Sequence, residues 1–160
     1  MISPTKPQLF NSPLETGVRS VILLNAASPR AYDLTHLTWL DHLVVHTGDL
    51  AEGHPSLHPD IPQRAGELVV RRQIVEDGLQ LMSHLHMIER RYTADGVLYA
   101  SREDASLFVQ LIRSRYGQDL KKRAAWLMEY VTNSDQEFLA KLIKEKVGRW
   151  VIEFQGEGST

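Results

Sequence analysis

The stretch LHMIERRYTADGVLYASRED, Leu85 to Asp104, decides how this chain folds. Ile88, Arg90 and Tyr92 alternate with Glu89 and Arg91. Thr93-Ala94-Asp95-Gly96 then supplies turn chemistry, and Val97, Tyr99 and Ser101 resume the alternation. A two-residue period on either side of a glycine-bearing turn predicts a β-hairpin. The rest of the chain repeats at three- and four-residue spacing, so this hairpin stands among helices.

Upstream, ELVVRRQIVEDGLQLMSHLHM carries Leu68, Val75, Leu79, Met82 and Leu85 at helical spacing and runs straight into the hairpin. Gly78 interrupts it, either as a weak point or as a site of close helix packing. Before it lies GDLAEGHPSLHPDIPQRAG, whose three prolines and three glycines predict a long surface loop. An earlier helix starts at Asp33, places Leu34, Leu37, Leu40 and Val44 on one stripe, and stops at His-Thr-Gly-Asp, where Gly48 allows a left-handed turn. The first helix opens on Ser12, with Pro13 at its first position and Glu15 three residues after the cap. Val18, Val21, Ile22 and Ala26 give its stripe, and Pro29 ends it.

Downstream, Ser101 and Asp104 are read as caps of a helix bearing Ala105, Phe108, Leu111 and Ile112 that ends near Gly117. QDLKKRAAWLMEYVTN follows, burying Leu120, Ala124, Leu127 and Val131. A last helix opens on a capping box of Ser134 and Glu137, presents Phe138, Leu139, Leu142 and Ile143, and closes at Gly148. RWVIEF alternates as an edge strand would, and QGEGST is read as a disordered tail.

Two helices, then a third that feeds a hairpin, is the order of a winged-helix domain. The expected fold is therefore mainly α: a winged-helix-like domain with one hairpin wing and additional C-terminal helices. Residues 1–12 are expected to form a flexible N-terminal arm and 13–154 a single domain. Within that domain 102–154 is the helical extension, and 155–160 is a disordered tail.

Composition narrows the function. The 160 residues have no cysteine, which removes disulfides and thiolate chemistry and fits a cytoplasmic setting. No run of roughly 18 apolar residues is present to span a membrane, and the first residues lack the apolar core of a signal peptide. Lys and Arg number 18 against 20 Asp and Glu, a formal charge of −2. Proteins that bind DNA alone draw most of their affinity from phosphate neutralisation, so this balance disfavours a dominant DNA-binding face.

The chemical candidates are few. His54 and His58 have a zinc-like spacing, but Pro55 and Pro59 keep them off a helical face, so a solvated loop is the plainer reading. Asp33, Asp41, Glu76 and Asp77 read as caps or solvated charges. No nucleophile elbow, phosphate loop or dinucleotide fingerprint occurs, so no catalytic residue, metal or cofactor is expected. Arg71 and Arg72 on the third helix, and Arg90 and Arg91 on the wing, are candidate contacts to a partner or to DNA. Glu67, Glu76, Asp77 and Glu89 among them cancel much of the field. The run Lys121-Lys122-Arg123 is a further basic cluster. Trp39 and Trp126 lie just off the apolar stripes of their helices, where each is either core or an interface anchor.

Several phrases together resemble a known family. VILLNAASPRAYDLTHLTWLDHLVVHTGDL, HPSLHPDIPQRAGELVVRRQIVEDGLQLM, GVLYAS and RAAW are similar to the middle component of bacterial ABC-three-component systems. That group is in turn similar to the small subunit of Lamassu-type anti-phage defence systems. The resemblance covers Leu14 to Val131 and leaves the final helix and RWVIEF outside it. It implies a non-enzymatic subunit that bridges an SMC-like ATPase and an effector, such as a nuclease, with DNA reached indirectly through the complex. The pieces matched to the family pattern are Asp33, Asp41, the His54–Pro62 loop, and Glu67 with Arg71 and Arg72. The alternative from the residues alone is a winged-helix transcription regulator.

Overall fold

The computed structural model describes residues 12–47, 55–57, 64–133, 141, 144 and 145. The first helix, α1, runs Pro13–Ala27. The Ser12 hydroxyl accepts from the Glu15 amide at 3.2 Å, and Pro13 occupies the first position, where no amide is required. Its apolar surface is wider than the stripe expected: Val21, Ile22, Leu23 and Leu24 are all buried, whereas Ala26 is exposed. The reason is tertiary. α1 is the central helix, packed against every other helix and against the second strand, so nearly its whole circumference is covered.

Helix α2 (Leu34–Val45) is capped as expected: the Asp33 carboxylate accepts from the His36 amide at 2.7 Å. Leu37, Leu40 and Val44 are fully buried. The expected left-handed stop at Gly48 lies outside the described residues, as does most of the proline-rich loop. Helix α3 (Arg64–His84) buries Val75, Leu79 and Met82. Leu85, expected on that buried side, is exposed.

Gly78 resolves into its second reading. A Cβ on it would fall 2.7 Å from the Gly17 nitrogen and 2.8 Å from the Pro13 carbonyl oxygen. α1 and α3 therefore cross backbone against backbone, and a side chain at either glycine would hold them apart.

The exit from α3 is a closed helix terminus. The His86 amide donates to the Ser83 carbonyl at 3.2 Å, and the Met87 amide donates to the Met82 carbonyl at 3.0 Å. His86 takes φ 61°, the left-handed position that glycine fills most often in this motif. The chain then enters β1 (Ile88–Thr93), which pairs antiparallel with β2 (Gly96–Ser101) from Ile88 opposite Ser101 to Thr93 opposite Gly96. Gly96 sits at φ 119°, and the Thr93 hydroxyl bonds across the turn to the Gly96 carbonyl at 2.8 Å. The hairpin stands as its alternation predicted.

One sheet contact was not legible in the alternation. Tyr32, between α1 and α2, exchanges backbone hydrogen bonds of 3.0 and 2.8 Å with Tyr99 on the free edge of β2. The hairpin is thereby anchored to the helices. Among the described residues, five helices with one two-stranded hairpin set after the third are consistent with the winged-helix-like expectation.

Helix α4 (Glu103–Gln110) departs from its expected limits. Its cap position is Arg102, with no side-chain cap, because Ser101 is engaged as the last residue of β2 opposite Ile88. Glu103 and Asp104 instead place negative charge in the first turn, where the helix dipole favours it. The helix ends at Gln110. Gly117 lies inside α5 (Arg115–Asn133), so close to Ile112 that a Cβ would fall 2.3 Å from its Cγ2. Leu111 is exposed rather than core. Leu120, Ala124 and Leu127 are buried, while Val131 is partly buried against them. The helix expected from Ser134 to Gly148, the N-terminal arm, RWVIEF and the QGEGST tail lie essentially outside the described residues.

Candidate functional site

The polar centre of the molecule is a charge cluster joining three helices. Asp41 on α2 is fully buried and accepts hydrogen bonds from two arginines. Arg19 on α1 donates from Nε to Oδ1 at 2.9 Å and from Nη2 to Oδ2 at 3.3 Å, and Arg71 on α3 donates from Nη1 to Oδ2. Arg19 Nη2 also reaches the Thr16 hydroxyl at 3.2 Å. Burial pushes the Asp41 carboxyl up, yet the two guanidinium charges and their hydrogen bonds outweigh it and hold the group below the usual carboxylate range. Burial likewise opposes the charge on Arg19, and Asp41 more than restores it.

Two expectations change here. Asp41 is neither a cap nor a solvated charge, and Arg71 is not at the surface. Both side chains are spent on holding α2 and α3 to α1. An ion pair out of solvent survives only when its oxygens and protons are satisfied, and this carboxylate has arginines on both oxygens.

Trp39 is also inside, 4% exposed, with its ring edge-on to His42 at 6.3 Å. Of the two readings of Trp39, core or interface anchor, its side chain takes the core position in this fold. His42 stacks on His46 at 4.5 Å, and both are buried. Among the described residues no group of three metal-ligating side chains occurs, and His54 and His58 lie outside them.

The remaining arginine candidates face outward. Arg72 is exposed and donates to the Thr35 hydroxyl at 2.8 Å. On the hairpin, Arg90 and Arg91 are exposed, and Arg91 is paired with Glu89 at 2.6 Å, which cancels its charge locally. Trp126 is half-buried and stacks on Tyr130 with ring centres 5.2 Å apart. Of the basic run, Lys121 turns back to cap α4, donating from Nζ to the Val109 and Ile112 carbonyls at 3.2 and 2.8 Å. Of these outward arginines, Arg91 has its charge offset by Glu89.

Apolar groups are prominent on the outside instead. Val69 is 73% exposed, Leu111 72% and Leu107 65%. A mainly apolar cleft of about 390 Å³ opens between α1 and the α4–α5 junction, lined by Val18, Ile22, Phe108, Ile112 and Leu120 with Tyr116 at its side. Burial raises the Tyr116 hydroxyl's pKa, against the pull of Arg19. A cleft of this lining holds apolar side chains. Glu15, Arg19 and Ser114 add polar groups to its wall.

Compared with known families, residues 9–153 match the model of the ABC-three component (ABC-3C) system Middle Component 2. The chain belongs to that family. The Middle Component 2 match reaches further than the resemblance read from sequence phrases, taking in residues 132–153, where the last helix was expected, and all of RWVIEF but Phe154. It makes the chain an accessory middle component of a multi-component system. No curated protein and no solved structure matches it. Among the described residues of this Middle Component 2 chain, no helix is long and apolar enough to cross a membrane.

Proposed function

We propose that this middle component is a non-catalytic bridging subunit of an anti-phage or anti-plasmid complex, resembling those of Lamassu type. It links an SMC-like ATPase to an effector such as a nuclease, and works in the cytoplasm. The observation that carries this reading is the Middle Component 2 match over nearly the whole chain. The surface supports it. The outward side of α3, the helix that a winged-helix DNA reader lays in the major groove, carries Val69, Val70, Glu76 and Asp77 beside the single exposed arginine described there, Arg72. Apolar groups there suit a protein partner, and the two carboxylates outnumber the one arginine that phosphate would favour. Arg72, Arg90 and Arg91 remain as exterior positions for partner contacts and Trp126 as a half-buried one, while Arg71 and Trp39 lie within.

The test is co-expression of the chain with the products of its neighbouring genes, followed by affinity capture and size exclusion. A stoichiometric complex containing an ATPase is the expected result. A lone monomer that never co-elutes with any neighbour overturns the reading. DNA binding by the isolated chain at low salt, lost on Arg90→Ala, would favour a winged-helix transcription regulator instead.

A further inference from the structure

Helix α3 has two apolar sides, and the described residues pack one of them. Val75, Leu79 and Met82 face the core. Val70, Ile74, Asp77, Leu81 and Leu85 recur at spacings of four, three, four and four, which lines them up along another side. Val70 is 55% exposed and Leu85 52%, with Leu81 also exposed and Ile74 partly so. At 1.5 Å of rise per residue this seam runs about 22 Å, enough for four turns of a facing helix. Its midpoint is a charge: Asp77, exposed, whose carboxylate accepts only a neutral hydrogen bond of 3.1 Å from Gln73 among those the structure shows.

We propose that this side of α3 docks an amphipathic helix of a partner subunit, one that carries a lysine or arginine at the level of Asp77. The inference rests on the middle-component reading and adds which surface is used and what the partner presents there. Charge selects the occupant. In a symmetric pair of identical chains, parallel α3 helices place Asp77 beside Asp77. Antiparallel helices that overlap the whole seam do the same, because Asp77 is at its centre. Two carboxylates would then face each other in a water-poor contact, which disfavours a second copy. A cationic residue turns the same position into a register-fixing pair, as charged and polar groups do in helical seams.

The experiment uses the full chain with whichever neighbouring gene product co-elutes with it, and measures affinity for Asp77→Lys and Leu81→Lys. Both residues are exposed, so circular dichroism and melting temperature should match the parent. Each variant is expected to weaken the complex at least tenfold, while Glu129→Lys on the exposed side of α5 leaves it unchanged. A complex indifferent to both variants overturns this inference and leaves the middle-component reading intact. A parent chain that never co-elutes overturns both. Two results would assign the seam to another occupant and sink the proposal: a parent dimer in sedimentation that Leu81→Lys returns to monomer, or a several-fold rise in thiol labelling of Leu85→Cys when residues 134–160 are deleted. The chain has no native cysteine, so that labelling reports the seam alone.

Discussion

Arg19 Nε stands 2.9 Å from Asp41 Oδ1, both side chains out of solvent, with Arg71 on the other oxygen of the same carboxylate. α1, α2 and α3 are thus tied at one point by charge as well as by apolar packing. Asp41→Asn removes the carboxylate and leaves two buried guanidinium groups without their counter-charge. A loss of about 3–5 kcal/mol is expected, read as a lower denaturant midpoint. A parent-like midpoint would mean that the arginines relax to solvent.

The same group sets an acid limit. Its pKa in the folded chain is below the unfolded value of about 3.9, so the stability it contributes is complete above that value. It is lost as pH falls through the unfolded value and toward the folded one. Urea titrations should show stability dropping below about pH 4, with a flatter profile for Asp41→Asn. Glu89, held down by its hydrogen bond to Arg91, shifts in the same direction at the surface, so the variant's profile keeps a shallow slope.

The crossing of α1 and α3 gives a steric prediction. Gly78→Ala places a methyl group against the Gly17 backbone, where no flexible side chain can yield. About 1–3 kcal/mol of destabilisation is expected from the forced separation. An ordinary exposed helical glycine would instead gain from alanine. The sign of the change in melting temperature decides between the two.

The end of α3 predicts the opposite sign. His86 holds a left-handed φ of 61° that costs an L-residue roughly 1 kcal/mol. His86→Gly is expected to leave stability unchanged or raise it by up to about 1 kcal/mol, net of glycine's unfolded-state entropy. A β-branched His86→Val should lower it. Thermal melts of the pair check this, and equal effects would show that the motif carries no strain.

Local patterns of the chain determined much of this protein. Ser12 and Asp33 mark helix starts because a short polar side chain can satisfy an unpaired amide only from that position. The alternation around Gly96 forced a hairpin because one glycine-bearing turn joins two period-two runs. Those signals depend on residues within a few places of one another. The phrases around α2 and α3 also carried the family resemblance.

Tertiary structure decided which side of each helix is inside and which charges are spent there. Asp41 and Arg71 look like surface residues in the sequence because each partner is 22 to 30 positions away. Trp39 lies off its helix's main stripe yet is buried, because α2 is enclosed on more than one side. Conversely, Leu81 and Leu85 continue a helical apolar pattern but face outward, because the fold has no element to set against them among the described residues. Periodicity states that a helix has an apolar side. Only the assembled neighbours determine whether that side belongs to its own core or remains for a partner.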